Sequence, residues 1–364
     1  MDFGASSVAK IDDVDLAPFA EQLGFEAFSV MDSQLIWSDP YACLALIAER
    51  TKTIQVGTLA VVGTRIGPVI AAAIATINRL APGRTFISLA TGHTAWRMMG
   101  HPPRRLELFE EAVKVVRGLT RGETVPFRFE DRETLIRLDM ADLGFVDTAH
   151  PIRIDVAAMG PKGTEIAGRL SDGILDPNAK SPARIAKVRA ALNQAASTRT
   201  DAAAKDLTIT ATAHVVILDP GQKASDDHVI EQVGPMVALV LHEIYAGLMA
   251  KKAAGGPPPA AADDLPPSVQ AVWQDYCALV DTFPKETRHL RQHAGHLVFV
   301  HPDEQRFITP ELIKMCGMVA PAEELIETMR QLDAAGLDRL FISGSGKHGR
   351  ASLERFSRLV MKRL

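Results

Sequence analysis

EAFSVMDSQLIWSDPYACLALIAERTKTIQVGTLAVVGTRIGPVIAAAIATINRLAPGRTFISLATG, residues 26–92, decides the fold. Residues 26–31 make a short apolar run of strand type, 53–61 are rich in β-branched residues, and 84–90 repeat the pattern. Two helical stretches lie between them. One runs from Pro40 to Arg50, with Asp39 placed to cap it and Pro40 at its first position. The other, Pro68 to Leu80, carries almost no charge and predicts a helix buried on several sides. Strands alternating with helices in this order imply a parallel sheet with crossover helices.

The same rhythm extends in both directions. Upstream, residues 1–6 read as a strand, and a helix from Val14 to Leu23 is closed by Gly24. Downstream come a helix over 106–118, a polar stretch over 119–150 that predicts a small β insertion, a strand at 152–157 and a helix over 160–170. Strands follow at 172–175 and 207–218. The rhythm then breaks over 219–307, where GGPPPAAADDLPPS (255–268) cannot be regular, because its prolines lack N–H donors and restrict their neighbours. It resumes with a helix over 321–336, a strand at 339–343 and a last helix to Leu364. The expectation is an α/β fold: a (β/α)8 TIM barrel with a helical insertion before the last β/α unit. It is one domain over 1–364, with insertions at about 119–150 and 219–307. An open doubly wound sheet would call for a GxGxxG turn after the first strand, and none is present.

Composition narrows the function. The net charge is -4, no Lys/Arg run stands out and aromatics are 5%, so neither nucleic acid nor an anionic membrane is an expected partner. No run of 18 apolar residues and no leader pattern is visible. Three widely spaced cysteines show no disulfide framework, which predicts reduced thiols and a cytoplasmic protein.

In such barrels the chemistry lies at the C-terminal ends of the strands. Gly160-Pro161-Lys162-Gly163-Thr164 sits where a helix begins, with open N–H groups, a lysine and a hydroxyl that suit a phosphate. Gly344 to Gly349 is a second glycine-rich turn with a lysine; either turn could equally be an ordinary strand-to-helix connection. His93 is the ionisable side chain after the fourth strand, a proton donor or acceptor near neutrality or a surface histidine. Asp32 lines the pocket or caps a turn, and Trp37 walls a flat ligand or packs. His289, His293 and His296 share one helix face if a helix continues there, but Gly295 argues that it ends, so no metal site is expected. His242, Glu243, His293 and His296 are further candidates to face the site from the insertion.

These residues resemble the luciferase-like superfamily, including methylene-tetrahydromethanopterin reductases. The resemblance rests on AEQLGFEAFSVMDS (20–33), DPYACLALIAERTKTIQVGT (39–58), PVIAAAIATINRLAPGRTFISLATG (68–92), AAMGPKGTEIAGRLSDGIL (157–175) and PAEELIETMRQLDAAGLDRLFISG (321–344). HAGHLVFVHPDEQRFITPELI (293–313) is similar to a flavin-dependent subgroup.

The resemblance implies a barrel oxidoreductase that holds coenzyme F420, slightly favoured, or FMN. Such enzymes act on a small organic substrate by hydride transfer or oxygen activation. It puts the cofactor phosphate at Gly160, Pro161, Lys162, Gly163 and Thr164, with Met159 a further cofactor-binding residue. It lays the ring near Thr91, Gly92, Leu59 and Ala60, with a cis peptide or bulge at Leu59–Ala60. Asp32, His93 and Trp37 fall in catalytic positions. A homodimer is implied, and a flavin reductase partner if the cofactor is FMN. Departures are visible: Ser33 replaces a catalytic histidine, His93 replaces a carboxylate, and Val61-Val62-Gly63 replaces a more polar Thr-Asn-Pro. A cofactor-binding protein without turnover is therefore a second reading, and a metal-dependent hydrolase barrel a third.

Overall fold

The computed structural model describes residues 1–197, 199–200 and 206–364. The strand–helix alternation runs β1 (Asp2–Val8), α1 (Leu16–Leu23), β2 (Ala27–Met31), α2 (Pro40–Arg50), β3 (Gln55–Val61), α3 (Gly67–Leu80) and β4 (Thr85–Ala90). Next come α4 (His93–Met98), α5 (Leu106–Thr120) and a hairpin of β5 (Val125–Phe129) and β6 (Arg132–Ile136). The chain goes on through β7 (Arg153–Ala157), α6 (Pro161–Leu170), β8 (Gly173–Leu175), α7 (Pro182–Ala196), β9 (Thr208–Ala213) and β10 (Val215–Ile217). Helices α8 (Asp227–Ala253), α9 (Pro267–Asp281), α10 (Arg288–Gln292) and α11 (Pro310–Cys316) follow. The last elements are β11 (Met318–Ala320), α12 (Ala322–Ala334), β12 (Arg339–Ser343) and α13 (Gly349–Leu359).

Eight parallel strands close into a barrel in the order β1-β12-β9-β8-β7-β4-β3-β2. Local chemistry explains the ends. Asp39 caps α2, its carboxylate accepting from the Tyr41 and Ala42 N–H groups, and Gly24 ends α1 at φ 92°. Inside the barrel the rings of Phe86 and Phe341 lie 5.9 Å apart. A Cβ on Gly4 would strike Phe341, and one on Gly57 would strike Phe86, so these glycines make room for the two rings.

The sequence reading differs from the structure in three places. The single strand expected over 207–218 is two: β9 stays in the barrel, while β10 pairs with β11 in a separate two-stranded sheet. Helix α7 was not anticipated, because Ala, Arg, Lys and Gln interrupt its apolar stripe of Ile185, Val188 and Leu192. The implied cis peptide or bulge at Leu59–Ala60 is not there. No peptide among the described residues is cis, and β3 pairs without interruption, Leu59 with Met31 and Ser88 and Ala60 with Leu89.

The described residues divide into two compact units. One holds Met1–Ala213, Glu327–Gly344 and Met361–Leu364, and so the barrel. The other holds His214–Ile326 and Ser345–Val360. Its core is its own, built on Val233, Val237 and Leu241 of α8, Trp273 and Tyr276 of α9, and Phe307. Helix α8, with 27 residues and Pro235 inside, is the one helix among the described residues long and apolar enough to cross a membrane. Its buried stripe is what builds this core, which accounts for its apolar composition.

Candidate active site

Strand alternation settles which side chains meet at the barrel's C-terminal mouth. Gly57 faces inward, so Leu59, two residues on, does too, and the ladder carries the same parity to Met31, Ala90 and Ala157. All four are half-buried and make an apolar side to the mouth. Thr212 and Ser343 take the matching positions on β9 and β12 and bring hydroxyls to the other side. Ala60 has the opposite parity and is 1% exposed, so its methyl packs outward and cannot line the pocket as expected.

Asp32 also has outward parity. Its side chain is 1% exposed and stands in an ion pair that sequence reading missed. Oδ2 accepts from the Arg65 guanidinium at 3.0 Å and from the Val61 N–H at 3.2 Å. Arg65 also bonds Asp39 and lies 5.2 Å from the Tyr41 ring centre. Burial raises the Asp32 carboxyl above the ordinary range, against the pull of Arg65 and the Val61 N–H. Asp32 Oδ1, Ser33 Oγ and Tyr41 OH are buried without a hydrogen-bond partner. The sequence signal for the pair was a buried carboxylate after one strand and a single basic residue after the next.

Helix α4 closes over this edge. The Trp96 indole N–H donates to Val62 O at 3.1 Å, and the Gln34 amide donates to Ala95 O at 3.0 Å. Gly92 makes the turn at φ 75°, where a Cβ would strike Val61. His93 opens α4 exposed, Thr91 is half-buried beside Gly92, and Trp37 is half-buried, its backbone N–H donating to Ser33 O. Asp32 and Trp37 thus follow β2 and His93 follows β4, the strands on either side of β3, and Asp32 is paired with Arg65.

Helix α6 begins directly after β7. Gly160 is its N-cap, no side chain caps it, and Pro161 takes the first position. The first-turn N–H groups of Lys162 and Gly163 have no acceptor within the helix. Lys162 is exposed, and no acidic side chain pairs with it among the described residues. A Cβ on Gly163 would come to 2.5 Å from Ala158, whereas one on Gly160 would meet nothing within 4 Å. Met159 is 53% exposed, and its carbonyl accepts from Arg184 at 2.7 Å. The Thr164 hydroxyl donates to Gly160 O at 3.0 Å, so its proton serves the helix turn and is not offered to a ligand as expected.

The histidines of the insertion do something else. Helix α10 stops at Gln292, so no helix carries His289, His293 and His296 on one face. His242, His293 and His296 are buried within the second unit, His242 bonded to Glu304 and stacked 6.3 Å from Tyr276. Glu243 next to it is only half-buried. Among the described residues, no group of three or more His, Cys, Asp or Glu is placed to hold a metal ion.

The family profile described as luciferase-like monooxygenase matches residues 5–339. The chain belongs to that family. Among relatives of this luciferase-like chain, an F420-dependent glucose-6-phosphate dehydrogenase of Nakamurella multipartita is 32% identical over 202 residues, 50% of this chain and 54% of that protein. A 5,10-methylenetetrahydromethanopterin reductase of Archaeoglobus fulgidus is 33% identical over 138 residues, 37% of this chain and 40% of that protein. The chain thus spans about half the length of the curated relatives it matches. Among solved structures, an F420-dependent secondary alcohol dehydrogenase in complex with an F420-acetone adduct superposes with a TM-score of 0.66. At 16% identity over 99% of this chain and 98% of that one, it shares the luciferase-like barrel.

Proposed function

We propose that this luciferase-like barrel is a cofactor-dependent oxidoreductase that reduces, oxidises or oxygenates a small organic substrate at its mouth. The observation that carries the reading is the start of α6, an uncapped helix end with two open N–H groups, an unpaired Lys162 and a glycine that no side chain crowds. It follows β7, whose last residue Ala157 belongs with Met31, Leu59 and Ala90 to an apolar side of the mouth fit for a flat ring. These residues fit a phosphorylated flavin or deazaflavin. The names of the matched relatives favour F420 over FMN.

A bound flavin or deazaflavin supplies hydride transfer or oxygen activation. The chain's own residues do the rest. Lys162 and the N–H groups of Lys162 and Gly163 would hold the phosphate, and Thr91 and Gly92 would lie beside the ring. Trp37 would wall the substrate, Asp32, whose side chain points away from the mouth, would hold the end of β3 with Arg65, and His93 would give or take a proton at its imidazole nitrogen. The test is His93→Ala: cofactor binding persists and turnover drops by about 10²–10⁴-fold. Unchanged turnover removes His93 from this role.

A second reading, cofactor binding without turnover, is favoured by one observation. Ser33, standing where the resemblance puts a histidine, buries a hydroxyl with no partner. Reoxidation of reduced cofactor no faster with protein than without it supports that reading. The metal-dependent hydrolase has no ligand set among the described residues.

A homodimer is supported by exposed apolar side chains on unit one: Val69 and Leu80 of α3, Phe129 and Leu135 of the hairpin, and Phe145. A flavin reductase partner is required only if FMN is the cofactor. Three free, buried cysteines are consistent with a reducing cytoplasm.

A further inference from the structure

We propose that Arg65 is a positioning residue that locks the end of β3 as a ring platform through Asp32. The inference rests on the cofactor reading above.

The last residues of β3 are pinned from three directions. The Asp32 N–H donates to Leu59 O at 3.1 Å, Asp32 Oδ2 accepts from Val61 N–H, and Trp96 Nε1 donates to Val62 O. The Val62 N–H reaches Ala90 O at 2.9 Å. The backbone beside Leu59 therefore has little freedom to tilt. Asp32 is the hinge of this arrangement, because its backbone and side chain both grip β3. A carboxylate this deeply buried stays charged and oriented only with a cation beside it. Arg65 supplies that cation and is itself held at its far side by Asp39, the N-cap of α2. With two carboxylates on one guanidinium, Arg65 has no net charge to offer a substrate phosphate; its contribution is geometric.

Riboflavin, FMN, F420 and the phosphate-free ribityl deazaflavin of F420 are titrated against the native chain, Arg65→Ala, Arg65→Lys and Lys162→Ala, read by ligand fluorescence across pH. Arg65→Ala should weaken the phosphate-free and phosphorylated forms alike, by about ten- to a hundredfold. Lys162→Ala should weaken only the phosphorylated forms. Without Arg65 the acid limb of ring binding should move to higher pH, because Asp32 then takes up its proton more readily. A purely structural ion pair would lower the melting temperature and leave that limb in place. If Arg65→Ala does not fold, Arg65→Lys carries the test: it keeps one charged contact and should bind both phosphate-free ligands more weakly than the native chain and than Lys162→Ala, which leaves those two ligands unaffected. Native-like ring affinity in either Arg65 variant, or an unmoved acid limb, overturns the proposal. Binding of none of the four probes by the native chain overturns the cofactor reading itself, and this inference with it.

Discussion

His242 Nε2 and Glu304 Oε1 lie 2.6 Å apart, and both side chains are all but sealed from water. Removing one partner leaves a buried polar group uncompensated. Glu304→Ala is expected to lower the unfolding free energy by about 3–5 kcal/mol, measured by urea denaturation. A loss below about 1 kcal/mol would mean that the cluster is wetter or looser than its burial indicates.

The same cluster sets an acid limit. His296 is pushed down to about 4, first by burial and then by His242, against a weak pull from Glu243. Its folded value lies below the ordinary 6.5, so the unfolded chain binds the proton more readily between the two. Stability is therefore full at neutral pH and falls as pH drops from 6.5 towards 4. His296→Leu should flatten that slope in denaturation curves taken at several pH values. An unchanged slope would assign it to other groups.

Glu21 ties α1 to the turn before β3. Its Oε1 accepts from Lys52 N, Thr53 N, Ile54 N and the Thr53 hydroxyl, at 2.6–2.9 Å. Burial alone would raise this carboxyl, but the N–H donors outweigh it and hold it at about 2. Its contribution is present above 4.5 and is lost as pH falls towards 2. Because Glu21 is half-buried, Glu21→Ala should cost only about 1 kcal/mol at neutral pH, read as a lower melting temperature. No difference between wild type and variant at neutral pH would contradict the bond set.

Gly163 packs its α-carbon against Ala158, and a side chain there has 2.5 Å in which to fit its Cβ. Gly163→Val should push the start of α6 away from β7 and weaken a phosphorylated cofactor by tenfold or more, about 1.4 kcal/mol. Affinity for the phosphate-free ring should change much less. Equal losses for both forms would place the phosphate elsewhere.

Much of the barrel was legible because each strand and cap is specified locally. Asp39 before Pro40 marked the N-terminus of α2, and Gly24 marked the end of α1. What stayed hidden depends on residues far apart in sequence. The Asp32–Arg65 pair joins the ends of two neighbouring strands, 33 residues apart, and neither residue type announces a partner. Strand β9 ends at Ala213 because β10 is recruited by Met318–Ala320, a contact no local pattern encodes. The spacing of His289, His293 and His296 suggested a helical face, yet Gly295 at φ 78° turns the chain and sends His293 and His296 into the core. Ala60 was named with Leu59 as one site, although strand parity separates neighbours onto opposite faces.

The most direct measurement of the central claim is a fluorescence titration of the purified full chain with F420 and with FMN, each oxidised and reduced. Saturable binding of one of them, stoichiometric with the chain and weakened in Lys162→Ala, is the predicted result. Absence of binding for both cofactors in both redox states would contradict the oxidoreductase account and leave a luciferase-like barrel put to another use.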